Sequence, residues 1–192
     1  MPRTREQFTE MKDERRASIM HAALPLFSLN KKVSIDAICE KAKCSHGIVY
    51  HYFTNTNQIY DKLMESPTCL ELKRRLFELP QGSNYDKIEE IISVLLDVSS
   101  KKMDNVCYLN IFIKDKEKTS LYALLCKLVK DGQKAGTIVG GEPTELVDSV
   151  FLLLKGLYLT FLLEKHPEIK VPSIETVMQL LRKPTTFGRQ IV

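Results

Sequence analysis

Residues 45–54, SHGIVYHYFT, gather two histidines, two tyrosines, hydroxyl side chains and a glycine into about three helical turns. Val49 and Phe53 lie four apart and share one face, while His46, Gly47, Tyr50, His51 and Thr54 fall on roughly the opposite one. One face can pack and the other is free to touch a ligand. Ser45, Tyr50, His51 and Thr54 can donate hydrogen bonds to phosphate oxygens, and the amides that open a helix are themselves favourable for anions. His46, Tyr50 and the apolar surface of Ile48, which suits a thymine methyl, are the candidates for reading bases. Gly47 costs a helix about 1 kcal/mol relative to Ala, yet it lets the backbone come close to a groove. This is the chemistry of a helix seated on DNA.

Such a helix needs a platform, and the preceding residues supply one. Ser34 is an N-cap residue, and Ile35, Ile38, Cys39 and Ala42 then recur with helical spacing on one face. Lys43 and Cys44 break that period, and Ser45 can cap a new helix from His46, so Val33–Phe53 reads as a helix-turn-helix. The DNA-facing set is Ser34, Ser45, His46, Gly47, Ile48, Tyr50, His51 and Thr54. A first helix over about Thr9–Leu29 presents Ile19, Ala23, Leu26 and Phe27 to this pair, with a kink predicted near His21–Pro25. Asn30, which tolerates a left-handed conformation, is its stop signal. Lys31 and Lys32 read as solvated turn lysines, with phosphate contact as the alternative. Met1–Glu10 reads as a frayed terminus, the alternative being an arm in which Arg3 and Arg5 reach a minor groove. Asn55 and Gln58 resemble a capping box that opens a fourth helix through Ile59, Leu63 and Met64, with a kink or break predicted at Pro67.

Three segments, AALPLF (22–27), SIDAICEKAKCSHGIVYHYF (34–53) and TNTNQIY (54–60), stand in the order and spacing of the DNA-binding domain of TetR-family transcriptional regulators, which residues from about Arg15 to Leu63 resemble. The chain departs from the family pattern in having Lys43 in place of the turn glycine, Ile48 after the recognition glycine, and Thr56 in place of the lysine that opens the next helix. Thr56 is carried over as a DNA contact, its hydroxyl standing in for a charge. The resemblance implies an all-α fold of about nine helices. A three-helix DNA-binding domain (residues 1–56) would be joined to a helical ligand-binding and dimerisation domain (57–192). It also implies a homodimer on a double-stranded, pseudo-palindromic operator.

Beyond Ser83 the pattern is helical without convincing strands: apolar stripes run through Asp86–Met103, Asn105–Lys114, Thr119–Ala135, Thr144–Glu164 and Ile174–Arg182. Thr144–Glu164 is apolar nearly all round, so it should be buried on more than one side; Asp148 and Lys155 interrupt it too much for a membrane span, which needs about 20 apolar residues. By resemblance, the last two helices pair with their copies in a second subunit through Phe151, Leu154, Tyr158, Phe161, Val177 and Leu181. By resemblance too, Tyr108, Phe112, Tyr122, Cys126, Phe151 and Tyr158 lie on helices that line an effector pocket suited to a small apolar or aromatic ligand. For any one of these aromatics, plain core is the competing assignment.

Composition permits this reading without demanding it. The 192 residues carry a net charge of +4, with 44% apolar and 27% charged residues, enough for an ordinary globular core. Residues 1–56 hold nine Lys and Arg against six Asp and Glu, so the excess leans toward the motif. Cys39, Cys44, Cys69, Cys107 and Cys126 show no paired C-x-x-C spacing, which argues against a disulfide framework or a zinc site and leaves thiol sensing as a minor alternative. No nucleotide-binding glycine run, nucleophile elbow or zincin motif occurs; three of the four histidines, His21, His46 and His51, fall in the DNA-binding segment, and His166 precedes Pro167 in an expected loop. The expectation is a cytoplasmic, non-enzymatic regulator without metal or cofactor. A ligand-responsive repressor leads, against control by a protein partner or thiol oxidation, or an activator.

Overall fold

The computed structural model describes residues 5–30, 32–98, 103–116, 119–164 and 170–183. Among the described residues ten helices are formed: α1 (Arg5–Leu29), α2 (Ile35–Ala42), α3 (His46–Tyr52), α4 (Thr56–Met64), α5 (Pro67–Phe77), α6 (Asn84–Leu96), α7 (Met103–Lys114), α8 (Leu121–Lys134), α9 (Pro143–Leu163) and α10 (Ile174–Met178). The all-α expectation is met, with one helix more than the nine expected. Pro67 accounts for the difference. Ser66 takes an extended backbone and accepts from the Cys69 amide at 3.3 Å, so Pro67 opens a new helix at the position where its missing N–H is no loss. The expected kink or break is a break.

Pro25 behaves otherwise. α1 runs through it to Leu29 and starts earlier than expected, at Arg5. Asn30 does not adopt the left-handed stop conformation; its side-chain and backbone nitrogens both donate to Leu26 O, at 3.1 and 2.9 Å. The expected roles of Arg3, Lys31 and His166 fall outside the described residues.

α7 is the axis of the packing. Val106–Ile113 are buried without interruption, so this helix is covered on every side, with α1 on one flank and α9 on another. α6 packs on α8, α10 and α5, and a continuous apolar core runs from Ile19 to Leu181. α6 ends at Leu96, short of the expected Met103, and α10 ends at Met178, short of Arg182. After α10 the chain tightens into three-residue turns, and Val139 N donates to Leu181 O at 2.9 Å, which forms with Ile138 and Arg182 an isolated β-bridge. By length and composition α9 does pass for a membrane span despite Asp148 and Lys155. Its packing on α7 and α8 makes it a core helix instead.

The turn between α2 and α3 holds the one non-glycine residue with positive φ among those described, Lys43 at φ 50°. A left-handed L-residue costs roughly 1–2 kcal/mol, and glycine avoids that at the expense of a looser unfolded chain. Lys43→Gly is therefore expected to raise stability by roughly 0.5–1 kcal/mol, read as a higher urea midpoint with an unchanged slope.

Candidate nucleic-acid interface

The helix-turn-helix is built as its sequence requires. Ser34 caps α2 by accepting from the Ala37 amide at 3.2 Å, and Ile38 and Cys39 face inward. On α3, Val49 and Phe53 are buried, with the Arg16 guanidinium over the Phe53 ring at 5.6 Å. The opposite face is open: Ser45, His46, Gly47, Tyr50, His51 and Thr54 are exposed, Tyr50 by 56%, while Ile48 and Thr56 are half-buried.

Several details differ from a free reading surface. Ser45 occupies the N-cap position of α3, but its hydroxyl makes no capping bond; its carbonyl accepts the Ile48 and Val49 amides. His46 Nε2 bonds Asp36 Oδ1 on α2, so one ring nitrogen is committed and a carboxylate stands beside the reading face. The Thr54 hydroxyl donates to Gln58 Oε1 at 3.1 Å and must let go before it can donate to a phosphate. Asn55 Oδ1 accepts from Gln58 N at 2.9 Å, while Gln58 returns to the Thr54 amide rather than to Asn55, an offset form of the expected capping box. Asp36 was missed because it acts through a partner ten residues away across a turn, a pairing that no periodicity announces. Gly47 faces outward: a Cβ there would meet only Ser45 Oγ, at 3.9 Å. Nothing among the described residues requires a glycine at this position.

The expected effector residues separate into two groups. Tyr158 is fully buried and donates to Leu95 O at 2.6 Å; Phe112 is buried; and Tyr108 is buried with its hydroxyl 2.8 Å from Ser66 Oγ, burial pushing the phenol up to about 12. These three are core. Tyr122, Cys126 and Phe151 do come together, the Tyr122 and Phe151 rings meeting edge-on at 5.7 Å under the Lys116–Asp148 ion pair, with Lys116 Nζ 4.3 Å from the Tyr122 ring centre. The six residues expected at a subunit interface, Phe151, Leu154, Tyr158, Phe161, Val177 and Leu181, are all buried within the chain itself. In the single chain the outward stripe of α9 is instead Leu152, Lys155, Gly156 and Leu163.

Where α1 and α4 meet the helices behind them, α7 and its flanking residue supply the contacts. Lys114 Nζ donates to the carbonyls of Phe27, Ser28 and Asn30, the last two at 3.1 Å, and so caps the end of α1 with a cation. Asn110 Nδ2 donates to Ser28 O at 3.1 Å, and these two are the buried polar residues among those described. The Tyr60 hydroxyl on α4 donates to Asp115 Oδ2 at 3.2 Å, and burial and then that carboxylate hold the phenol neutral. A groove of about 1000 Å³ runs along this joint, lined among others by Phe27, Lys32, Thr56, Tyr60 and Lys114.

The fold recurs in solved structures. The MbdR regulator from Azoarcus sp. CIB superposes with a TM-score of 0.59 at 19% identity, over 87% of this chain and 97% of its own. A bacterial regulatory protein in the TetR family from Rhodococcus RHA1 gives 0.55 at 12%, over 88% and 98%. NalD of Pseudomonas aeruginosa, the secondary repressor of the MexAB-OprM multidrug efflux pump, gives 0.51 at 15%, over 90% and 98%. The chain has the fold of the TetR-family regulators. The sequence matches no family model and no curated protein. Within the TetR fold, the Lys114 cap is the contact that most directly joins the reading head to the helices behind it. Lys114→Met strips the charged donor from three carbonyls and is expected to lower stability by about 2 kcal/mol. Calorimetry would register this as a fall in Tm of roughly 4–8 °C.

Proposed function

We propose that the chain is a sequence-specific DNA-binding transcriptional regulator, acting as a homodimeric repressor on a pseudo-palindromic operator. The observation that carries this reading is the outward face of α3, where Gly47 has no packing role and Tyr50 and His51 stand exposed above a well-packed platform. Residues 1–56 are the reading head and 57–192 the regulatory and dimerising part. Ser34, Ser45, His46, Ile48, Thr54 and Thr56 complete the contact surface, with His46 aligned by Asp36. Repression rather than activation is favoured by the likeness in fold to NalD, a repressor. Cytoplasmic residence is part of the same proposal.

A second copy is the partner that the outer face of α9 fits. Leu152 and Leu163 are 70% and 67% exposed in the single chain, and between them a Cβ on Gly156 would meet nothing within 4 Å. An apolar stripe with a gap for close approach suits a helix related by two-fold symmetry. Two recognition helices would then enter major grooves about 34–36 Å apart or somewhat more. A small apolar or aromatic effector, held near Tyr122, Cys126 and Phe151, would favour a spacing that does not fit the operator.

Two variants test these statements separately. Gly47→Ala is expected to raise helix stability by up to about 1 kcal/mol while weakening binding to a duplex selected from a random pool by tenfold or more, followed by fluorescence anisotropy. Failure of the wild-type chain to enrich any duplex would sink the regulator reading. Leu152→Glu together with Leu163→Glu is expected to give a folded monomer in analytical ultracentrifugation; wild-type protein that sediments as a monomer at micromolar concentration would exclude the dimer.

A further inference from the structure

The turn that feeds α3 contains two thiols placed face to face by its backbone. Lys43 N–H returns to Glu40 O at 3.3 Å and Cys44 N–H to Cys39 O at 3.0 Å, the paired return bonds of a Schellman motif. In that motif the two residues joined by the return bond that spans more of the chain commonly make a side-chain contact, usually an apolar one. Here those residues are Cys44 and Cys39. Both are free thiols; Cys39 is buried and Cys44 half-exposed. Burial first, and the neighbouring Cys44 second, raise the Cys39 thiol above its ordinary range, so the buried member stays neutral and the accessible one meets an oxidant first. Cys69 and Cys107 are buried elsewhere, and Cys69 Sγ lies 3.9 Å from Met64 Sδ.

We propose that Cys39 and Cys44 are an oxidation site that closes reversibly to an intrachain disulfide, and that closure weakens DNA binding. The second half rests on the regulator reading; the first does not. With hydrogen peroxide as oxidant, the Cys44 sulfur attacks one peroxide oxygen, the O–O bond breaks, and a sulfenic acid and one water result. The Cys39 sulfur then attacks the Cys44 sulfur, the S–O bond breaks, and the departing hydroxide takes the Cys39 proton as a second water. Two thiols lose two electrons and one peroxide gains them. Disulfide closure brings the two sulfurs to about 2.05 Å, which draws Cys44 toward α2. The next residues are Ser45, whose carbonyl holds the first turn of α3, and His46, which is tied to Asp36. The displacement therefore enters the start of the recognition helix.

The test uses the full chain, graded hydrogen peroxide, and tryptic digestion without reductant. Lys41 and Lys43 lie between the two cysteines, so trypsin separates them in the reduced protein and leaves them joined in the oxidised one. The expected result is a Cys39–Cys44 linked peptide pair, two hydrogens lighter than its parts and reversed by dithiothreitol. DNA affinity should fall at least tenfold on oxidation and recover on reduction, while Cys44→Ser, checked for an unchanged melt, keeps its affinity in peroxide. Onward oxidation of Cys44 with Cys39 still a thiol, or pairing of either with another cysteine, would overturn the site. A linked pair with unchanged affinity would overturn the effect on binding. Reduced protein that binds no duplex would count against the regulator reading, and the mass measurement would still decide the disulfide.

Discussion

The end of α1 is a set of backbone carbonyls with nothing from their own helix to satisfy them, and the structure resolves this by sending Lys114 across from α7. A cation at a helix C-terminus is favourable in itself, and here it also fixes where α1 sits against the helix at the centre of the fold. Asn110, one turn back on α7, adds a buried donor to Ser28. Because Asn110 is removed from water, leaving its amide unpaired costs more than the bond itself contributes. The joint therefore has one low-energy arrangement, and α2 and α3, which pack on α1, inherit it.

The same helix reaches α4 and the break behind it. Asp115, just past the end of α7, accepts from Tyr60, and Tyr108 meets Ser66 at the residue where α4 gives way to α5. Ser66 already caps α5 through the Cys69 amide, so its hydroxyl serves the break and the contact with α7 together. Pro67 ensures that α4 and α5 are two bodies and not one rod. A shift of α7 by a fraction of a turn would thus be felt at three places: the end of α1, the middle of α4 and the break behind it.

The parts of this fold that were legible in the sequence are those governed by local rules. Ser34 as a cap, Val49 and Phe53 as the inward pair, and Pro67 as an interruption each follow from a side chain and its near neighbours. The phase of α9 was not legible for a different reason. A helix apolar on nearly every side has no polar stripe to mark its outside, so Phe151, Leu154, Tyr158 and Phe161 looked as suitable for a partner as Leu152 and Leu163. Only the packing of α7 and α8 decides between them. Lys114 and Asn110 were illegible because their partners lie more than eighty residues away in sequence. At the reading surface, spacing found which residues face outward but could not find that His46 and Thr54 are already engaged.

Those engagements bear on how the surface would recognise DNA. A side chain that holds an internal hydrogen bond exchanges it on binding, so its net contribution is the difference between two bonds rather than the whole of one. Thr54, bonded to Gln58, and His46, bonded to Asp36, are in that position, whereas Tyr50 is exposed and the backbone at Gly47 is uncovered. Asp36 also places a negative charge where a phosphate backbone would pass, so approach is favourable only in registers that keep the two apart. If this face reads DNA as proposed, discrimination would fall mainly on Tyr50 and the close approach at Gly47, with Asp36 beside His46 disfavouring misplaced backbones.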